Sequence, residues 1–252
     1  MSKRILLRAD DLGYSEGVNY GIAKTVRDGI IRSVGLMPNM PSAAHGVELL
    51  AGLDVCLGQH TNICVGRPLT DPSLIPSLCQ KDGTFKPSKA YRAAQEDFVA
   101  LDEVILEIEA QYRRFVQLTG RQPAYFEGHA VMSRNLYQGL EIVARRHGLD
   151  YLGISFGGEA VPFRTTPLTF VMDSMLPDYD PFATLQRAAA LDCGPNGCAM
   201  VIFHPGYLDD FILRTSSLTL PRVREAAVSC DPATKAWLKE NDIQIITYDE
   251  LP

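Results

Sequence analysis

Short apolar runs alternate along the chain with longer stretches in which apolar residues recur every three or four positions. "RILLRA" (4–9) is continuous enough to read as a buried strand. In "SEGVNYGIAKTVRDG" (15–29), Ser15 is a candidate N-cap, Val18, Ile22 and Val26 share one helical face, and Gly29 is a stop signal. The alternation continues with a strand at 33–38, a helix at 42–52 and a strand at 55–62. Residues 63–95 lack a clear period and are rich in Pro, Ser and Gly. A loop that long in a compact domain is usually functional or mobile, so this stretch is a candidate lid or a surface excursion. The clearest helix is expected over 96–119, where Phe98, Leu101, Ile105, Ile108, Tyr112, Phe115 and Thr119 trace one face before Gly120. Further strands are expected at 123–129, 151–155, 168–172, 198–206 and 243–248, with helices at 135–148, 181–191, 219–229 and 232–241.

Repeated strand-then-helix order implies a parallel sheet covered by helices. Seven or eight strands in 252 residues favour a barrel over an open doubly wound sheet. The expected fold class is therefore α/β: a distorted, TIM-like (β/α) barrel of about seven strands, in a single domain over residues 1–252. Neither GxGxxG nor GxxxxGK[ST] occurs, so the sequence gives no support to dinucleotide or P-loop chemistry.

Charge and composition narrow the partners. A net charge of −6 and the lack of a basic cluster with interleaved aromatics argue against nucleic acid. The apolar run in "MSKRILLRADD" is too short for a signal peptide or a membrane span. A cytoplasmic protein with no membrane partner is expected. Six cysteines (56, 64, 79, 193, 198 and 230) form no CxxC pair, and reduced thiols are the expectation. Cys193 and Cys198, which flank "GPNG", are close enough in sequence to bridge.

The candidate chemistry lies where strands end. "ILLRADD", "VCLGQHTN", "AYFEGH" and "MVIFHPG" each close on an acid or a histidine. In a parallel α/β fold all such ends share one rim, the usual place for an active site. Asp10, Asp11, His60, Glu127, His129 and His204 should therefore converge. Taken singly, an Asp here would be a helix cap and each histidine a satisfied core residue; their joint placement favours a site. His45 and His147 fall within helices and read as structural or surface residues. Side by side, Asp10 and Asp11 repel each other, and a bound cation would make the pair favourable. One Asp with two neutral imidazoles suits zinc and leaves positions open for water and substrate. Waters could equally complete a magnesium octahedron around the same residues.

These residues resemble the YdjC-like carbohydrate deacetylases, which include the chito-oligosaccharide deacetylases. The resemblance spans most of the chain. It rests on "ADDLGYSEGVNYGI", "GQHTNI" (58–63), "PAYFEGHAV" (123–131), "FHPGYLDD" (203–210), "RTSSLTLPRVREA" (214–226) and "IQIITYDEL". It implies a distorted barrel and metal-dependent hydrolysis of an N-acetyl group on an amino sugar. Carried over by motif, Asp11, His60 and His129 are the ligands of one divalent ion, zinc or magnesium. Asp10 is the general base and His204 the general acid. The third block departs from the family's "H-x-D-S-H-x-H". Tyr125 and Val131 replace its flanking histidines, Glu127 its Asp and Gly128 its Ser, while His129 is kept. In the second block "GLHLNLT" becomes "GQHTNIC", which brings Gln59 and Thr61 to that rim.

Tyr125, Glu127 and Arg214 are candidate substrate contacts. Arg214 or Arg222 would orient Asp10, bind sugar hydroxyls, or stand as a solvated surface cation. The expected partner is an N-acetylated sugar. Apolar residues at 72–79 and around Phe211–Leu213 are candidate surfaces of a homodimer. Two other classes fit the same residues: a metal-dependent phosphoesterase, and a sugar-binding protein without catalysis.

Overall fold

The computed structural model describes residues 3–252. Its centre is β1 (Lys3–Leu12), and the alternation along this strand divides the molecule into two cores. Ile5, Leu7 and Ala9 face outward to the covering helices, where Val18 and Ile22 of α1 (Glu16–Arg27) join the same apolar cluster. Ser15 caps α1, its hydroxyl accepting from the Val18 N–H at 3.2 Å. Leu6, Arg8 and Asp10 have the opposite parity, and Leu6 packs in an inner cluster.

The chain continues through β2 (Ser33–Leu36), α2 (Ala43–Leu49), β3 (Cys56–Thr61), α3 (Ser88–Ala93), α4 (Leu101–Thr119), β4 (Phe126–Gly128) and α5 (Arg134–His147). Next come β5 (Val161–Phe163), β6 (Thr166–Val171), α6 (Pro181–Ala190), β7 (Cys198–Phe203), α7 (Asp210–Thr215), α8 (Leu220–Cys230), α9 (Pro232–Glu240) and β8 (Ile243–Ile246). The sheet order is β4-β3-β2-β1-β7-β6-β5. β8 lies beside the first half of β1, Lys3–Leu6, and β2 beside its second half. Every pairing is parallel except the β5–β6 hairpin.

The sheet curls until its two ends share one plug. Tyr248 stacks on Tyr125, just before β4, with ring centroids 3.8 Å apart, and meets Phe163 of β5 edge-on at 4.9 Å. Gly58 makes room for this plug, since a Cβ there would lie 2.2 Å from the Tyr125 ring. Among the described residues no ladder joins β4 to β5, so the expected barrel is distorted by an open seam.

Several expected elements shift. Residues 151–155 make a single parallel bridge, Tyr151 to Phe126, rather than a strand. The long helix begins at Leu101 because Asp97 is occupied elsewhere: its carboxylate accepts from Ser133 Oγ and from the Asn135 N–H. β5, α3 and α7 are not foreshadowed by the pattern; at three, six and six residues they are too short to show a period. Residues 63–95 are neither a free lid nor a loose excursion. Ile63, Ile75, Leu78 and Phe85 pack with Val104 and Ile108 of α4 in a satellite core. Glu107 anchors the segment by accepting the Leu69 and Thr70 N–H groups at 3.1 and 2.9 Å. That packing also consumes most of the apolar surface at 72–79, leaving Leu74 exposed. All six cysteines are free. No helix among the described residues is long and apolar enough to cross a membrane.

Candidate metal centre and catalytic rim

The C-terminal strand ends do converge. Asp10 and Asp11 close β1, His60 lies near the end of β3, Glu127 lies in β4 with His129 just beyond it, and His204 follows β7. In a regular strand Asp10 and Asp11 would point to opposite faces. Here the β1–β2 register shifts between Ala9 and Leu12, and Asp11 takes a positive φ of 77°. This bulge turns both carboxylates toward the same imidazole, a re-aiming common beside active sites. Asp11 Oδ1 lies 3.3 Å and Asp10 Oδ2 3.9 Å from His60 Nε2.

Three donor atoms face one another. Asp11 Oδ1 is 3.0 Å from His129 Nδ1, which is 2.9 Å from His60 Nε2. All three residues are buried. Separations near 3 Å are those of donors sharing one ion at bond lengths of about 2.0–2.2 Å. The near neighbours of the buried Asp11 Oδ1 are these two ring nitrogens, so when the rings are deprotonated it has no hydrogen bond, which is costly unless a cation occupies the gap. The donor set therefore fits a divalent ion. A second acidic group, Asp10, His60 and Glu127, also clusters. The Arg8 guanidinium ion-pairs with both of its carboxylates, so that position already holds its cation.

Each Asp has its own arginine. Arg8 Nη2 donates to Asp10 Oδ2 at 2.8 Å, and Arg222 Nη2 donates to Asp11 Oδ2 at 2.6 Å. Arg222 also donates to the Leu218 and His204 carbonyls. Burial pushes the Asp11 carboxyl up, but Arg222 and His129 outweigh it and hold Asp11 well below the usual carboxylate range. Burial dominates at Asp10 and raises it despite Arg8. Burial also depresses the imidazoles of His60 and His129. Glu127 and Asp10 outweigh it at His60, which is raised, and Asp11 outweighs it at His129, which is raised to about 9. These rings compete for protons that a bound ion would displace. Around the facing donors the buried carboxylates Asp10, Asp11 and Glu127 stand against the guanidiniums of Arg8 and Arg222, so once the two rings give up their protons the balance is negative and favours a cation.

His204 differs. Burial lowers it to about 4, so its ring is neutral at pH 7, and its Nδ1 has no partner. Its backbone N–H donates to Glu225 Oε2 at 2.5 Å, and Tyr179 donates to Glu225 Oε1 at 2.7 Å. Burial raises Glu225 to about 8. A carboxyl raised in the fold binds its proton more tightly there than in the unfolded chain. Its contribution to stability is full below the unfolded value near 4.5 and is lost as pH rises through about 8. Glu225→Gln is therefore expected to flatten the fall in stability between pH 5 and 8. Urea midpoints at the two pH values check this, and an unchanged slope would remove Glu225 as the cause.

Three expected substrate contacts have other work. Tyr125 is fully buried in the barrel plug. Glu127 is buried between Arg8 and His60. Arg214 is exposed on α7 and pairs with Asp210 one turn away, while Arg222 is the arginine that reaches the site. Sequence reading missed Arg8, Glu225 and Tyr14, whose ring meets His129 edge-on at 6.3 Å. Arg8 left one signal, a charge at the inward parity of an otherwise apolar strand.

Comparison with known proteins gives the family and the fold. Residues 4–240 match the YdjC-like protein family. A carbohydrate deacetylase of Geobacillus stearothermophilus is 32% identical over 99% of this chain and 98% of its own length. Carbohydrate deacetylase 2 of Listeria innocua is 30% identical over 99% of both chains. A crystal structure from Enterococcus faecalis V583, described as a cellobiose-phosphate cleavage protein, superposes with a TM-score of 0.83 at 22% identity, covering 100% of this chain and 99% of that one.

Proposed function

The chain belongs to the YdjC-like family, and from that premise we propose that it is a metal-dependent hydrolase removing an N-acetyl group from an amino sugar or N-acetylated oligosaccharide. One observation carries this reading: the facing donors Asp11 Oδ1, His60 Nε2 and His129 Nδ1 lie beside a second carboxylate, Asp10, that has its own guanidinium. An ion held by those three residues would polarise the acetamide carbonyl and lower the pKa of a water at the same place.

The chain's own groups handle the protons. Asp10 is the general base. Its raised carboxyl is more basic than an ordinary Asp, while Arg8 fixes its direction. As the water oxygen bonds to the acetyl carbon, Asp10 takes the water proton. His204 is the general acid. Its ring is neutral at rest, so it must gain a proton during turnover, and the proton that Asp10 takes from the water balances that demand. Delivery to the amide nitrogen lets the C–N bond break, giving acetate and a free amine. Arg222 keeps Asp11 ionised and holds the His204 carbonyl, tying acid and ligand together. The rim offers a phosphate ester little, because Arg8 and Arg222 are both buried and already paired with carboxylates. This favours an uncharged acyl group over a phosphoryl group.

Acetate release from a panel of N-acetylated mono- and oligosaccharides tests the reading, with metal content measured alongside. The wild-type chain is expected to hold one ion and release acetate. His129→Ala is expected to lose both. Full acetate release by metal-free His129→Ala would contradict the ligand assignment, and a metal-loaded chain that releases no acetate from the panel but releases phosphate from sugar phosphates assayed beside it would favour the phosphoesterase.

A further inference from the structure

We propose that Glu127 is a positioning residue that ties the metal ligand His60 to the general base Asp10; this rests on the reading of the rim given above. The two Glu127 oxygens are divided between partners. Oε1 lies 3.0 Å from His60 Nδ1, and Oε2 is ion-paired with Arg8. The same Arg8 Nη2 donates to Asp10 Oδ2 at 2.8 Å. One carboxylate and one guanidinium thus stand between His60 and Asp10 in a row of close ionic contacts, with every side chain at most 5% exposed.

The fold keeps this connection in place. His60 and Glu127 are direct cross-strand partners on β3 and β4. Arg8 Nη1 donates to the plug residue Tyr248 at 2.9 Å, which holds the guanidinium from below. Gly35 of β2 leaves the space. A Cβ there would lie 2.7 Å from Glu127 Oε1 and 3.0 Å from His60 Cβ, forcing the pair apart. Chemistry explains why a carboxylate stands here. His60 turns Nε2 toward the other donors, so with an ion bound there the ring's remaining proton is on Nδ1, where an acceptor fixes tautomer and ring direction. An ion pair serving stability alone would need Arg8 but not a second oxygen directed at His60.

The test titrates apo protein with zinc alone and measures kcat on an N-acetylated oligosaccharide. Glu127→Gln is expected to weaken zinc binding by about 10–100-fold and to lower kcat at saturating zinc. Arg8→Gln is expected to leave zinc affinity within about 3-fold, well short of the loss for an orienting partner, and to lower kcat. Because both variants cut one connection, the double variant should turn over no more slowly than Glu127→Gln, whereas independent roles would multiply. Wild-type zinc affinity in folded Glu127→Gln overturns the proposal, and so does multiplicative loss in the double variant. If Glu127→Gln does not fold, Arg8→Gln/Glu127→Gln takes its place in the titration, since it removes both members of the Arg8–Glu127 pair together and leaves Asp10 facing His60. It is expected to bind zinc about 10–100-fold more weakly than wild type, and wild-type affinity overturns the proposal. A wild-type chain that binds zinc but cleaves no N-acetyl sugar defeats the functional reading while the zinc arm still decides Glu127. A wild-type chain that binds no zinc overturns both.

Discussion

Asp10→Asn is expected to keep its divalent ion and lose about 10²–10⁴-fold in kcat, the usual worth of a general base, whereas Asp11→Asn is expected to lose the ion itself. The two residues are adjacent, yet the bulge at Asp11 gives them separate partners. Asparagine at position 10 cannot accept the water proton. The fold tolerates it, because Arg8 keeps Glu127 and Tyr248. Asparagine at position 11 removes the one negative charge among the three facing donors. It also leaves Arg222 without its carboxylate. Metal analysis after dialysis, set beside acetate release, separates the two outcomes. Normal turnover by Asp10→Asn would displace it as the base. An Asp11→Asn protein that retains a full complement of metal would displace Asp11 as a ligand.

Arg222→Met is expected to cost about 3–5 kcal/mol of stability in the metal-free protein, the usual result of removing one partner from a buried ion pair. Asp11 would then be a buried carboxylate with only the two imidazoles to oppose it. The Leu218 and His204 carbonyls would lose donors as well. Saturating zinc should recover part of the loss, since the ion neutralises Asp11 directly and binds only the folded chain. Urea unfolding with and without zinc measures both effects. A variant as stable as wild type without metal would show that Arg222 does not hold Asp11. An equal loss in both conditions would detach the arginine from the metal centre.

The periodicity of the chain was enough to read the barrel and its rim, because strand ends in a parallel sheet share one side whatever their sequence separation. Ser15 at the N-cap, the helices begun by Pro181 and Pro232, and the five acids and histidines that gather at the rim with His204 follow from that logic. What lay outside it depends on contacts across the fold. Arg8 sits inside an apolar run, and only the parity shared with Leu6 and Asp10 marks it as inward. Arg214 and Arg222 are one residue type on neighbouring helices, and nothing in the local pattern says that one meets solvent and the other Asp11. Tyr125 follows from the space above Gly58, a cross-strand fact. The bulge that aims Asp11 is a single positive φ at a non-glycine residue, which leaves no trace in hydrophobic periodicity.

The central claim is that Asp11, His60 and His129 hold an ion on which removal of the N-acetyl group depends. The most direct measurement is acetate release from an N-acetylated oligosaccharide by wild-type protein stripped with a chelator, dialysed and reloaded with zinc. The account predicts no acetate from the stripped protein and recovery on reloading, with one equivalent of metal taken up. Equal acetate release before and after stripping would contradict it.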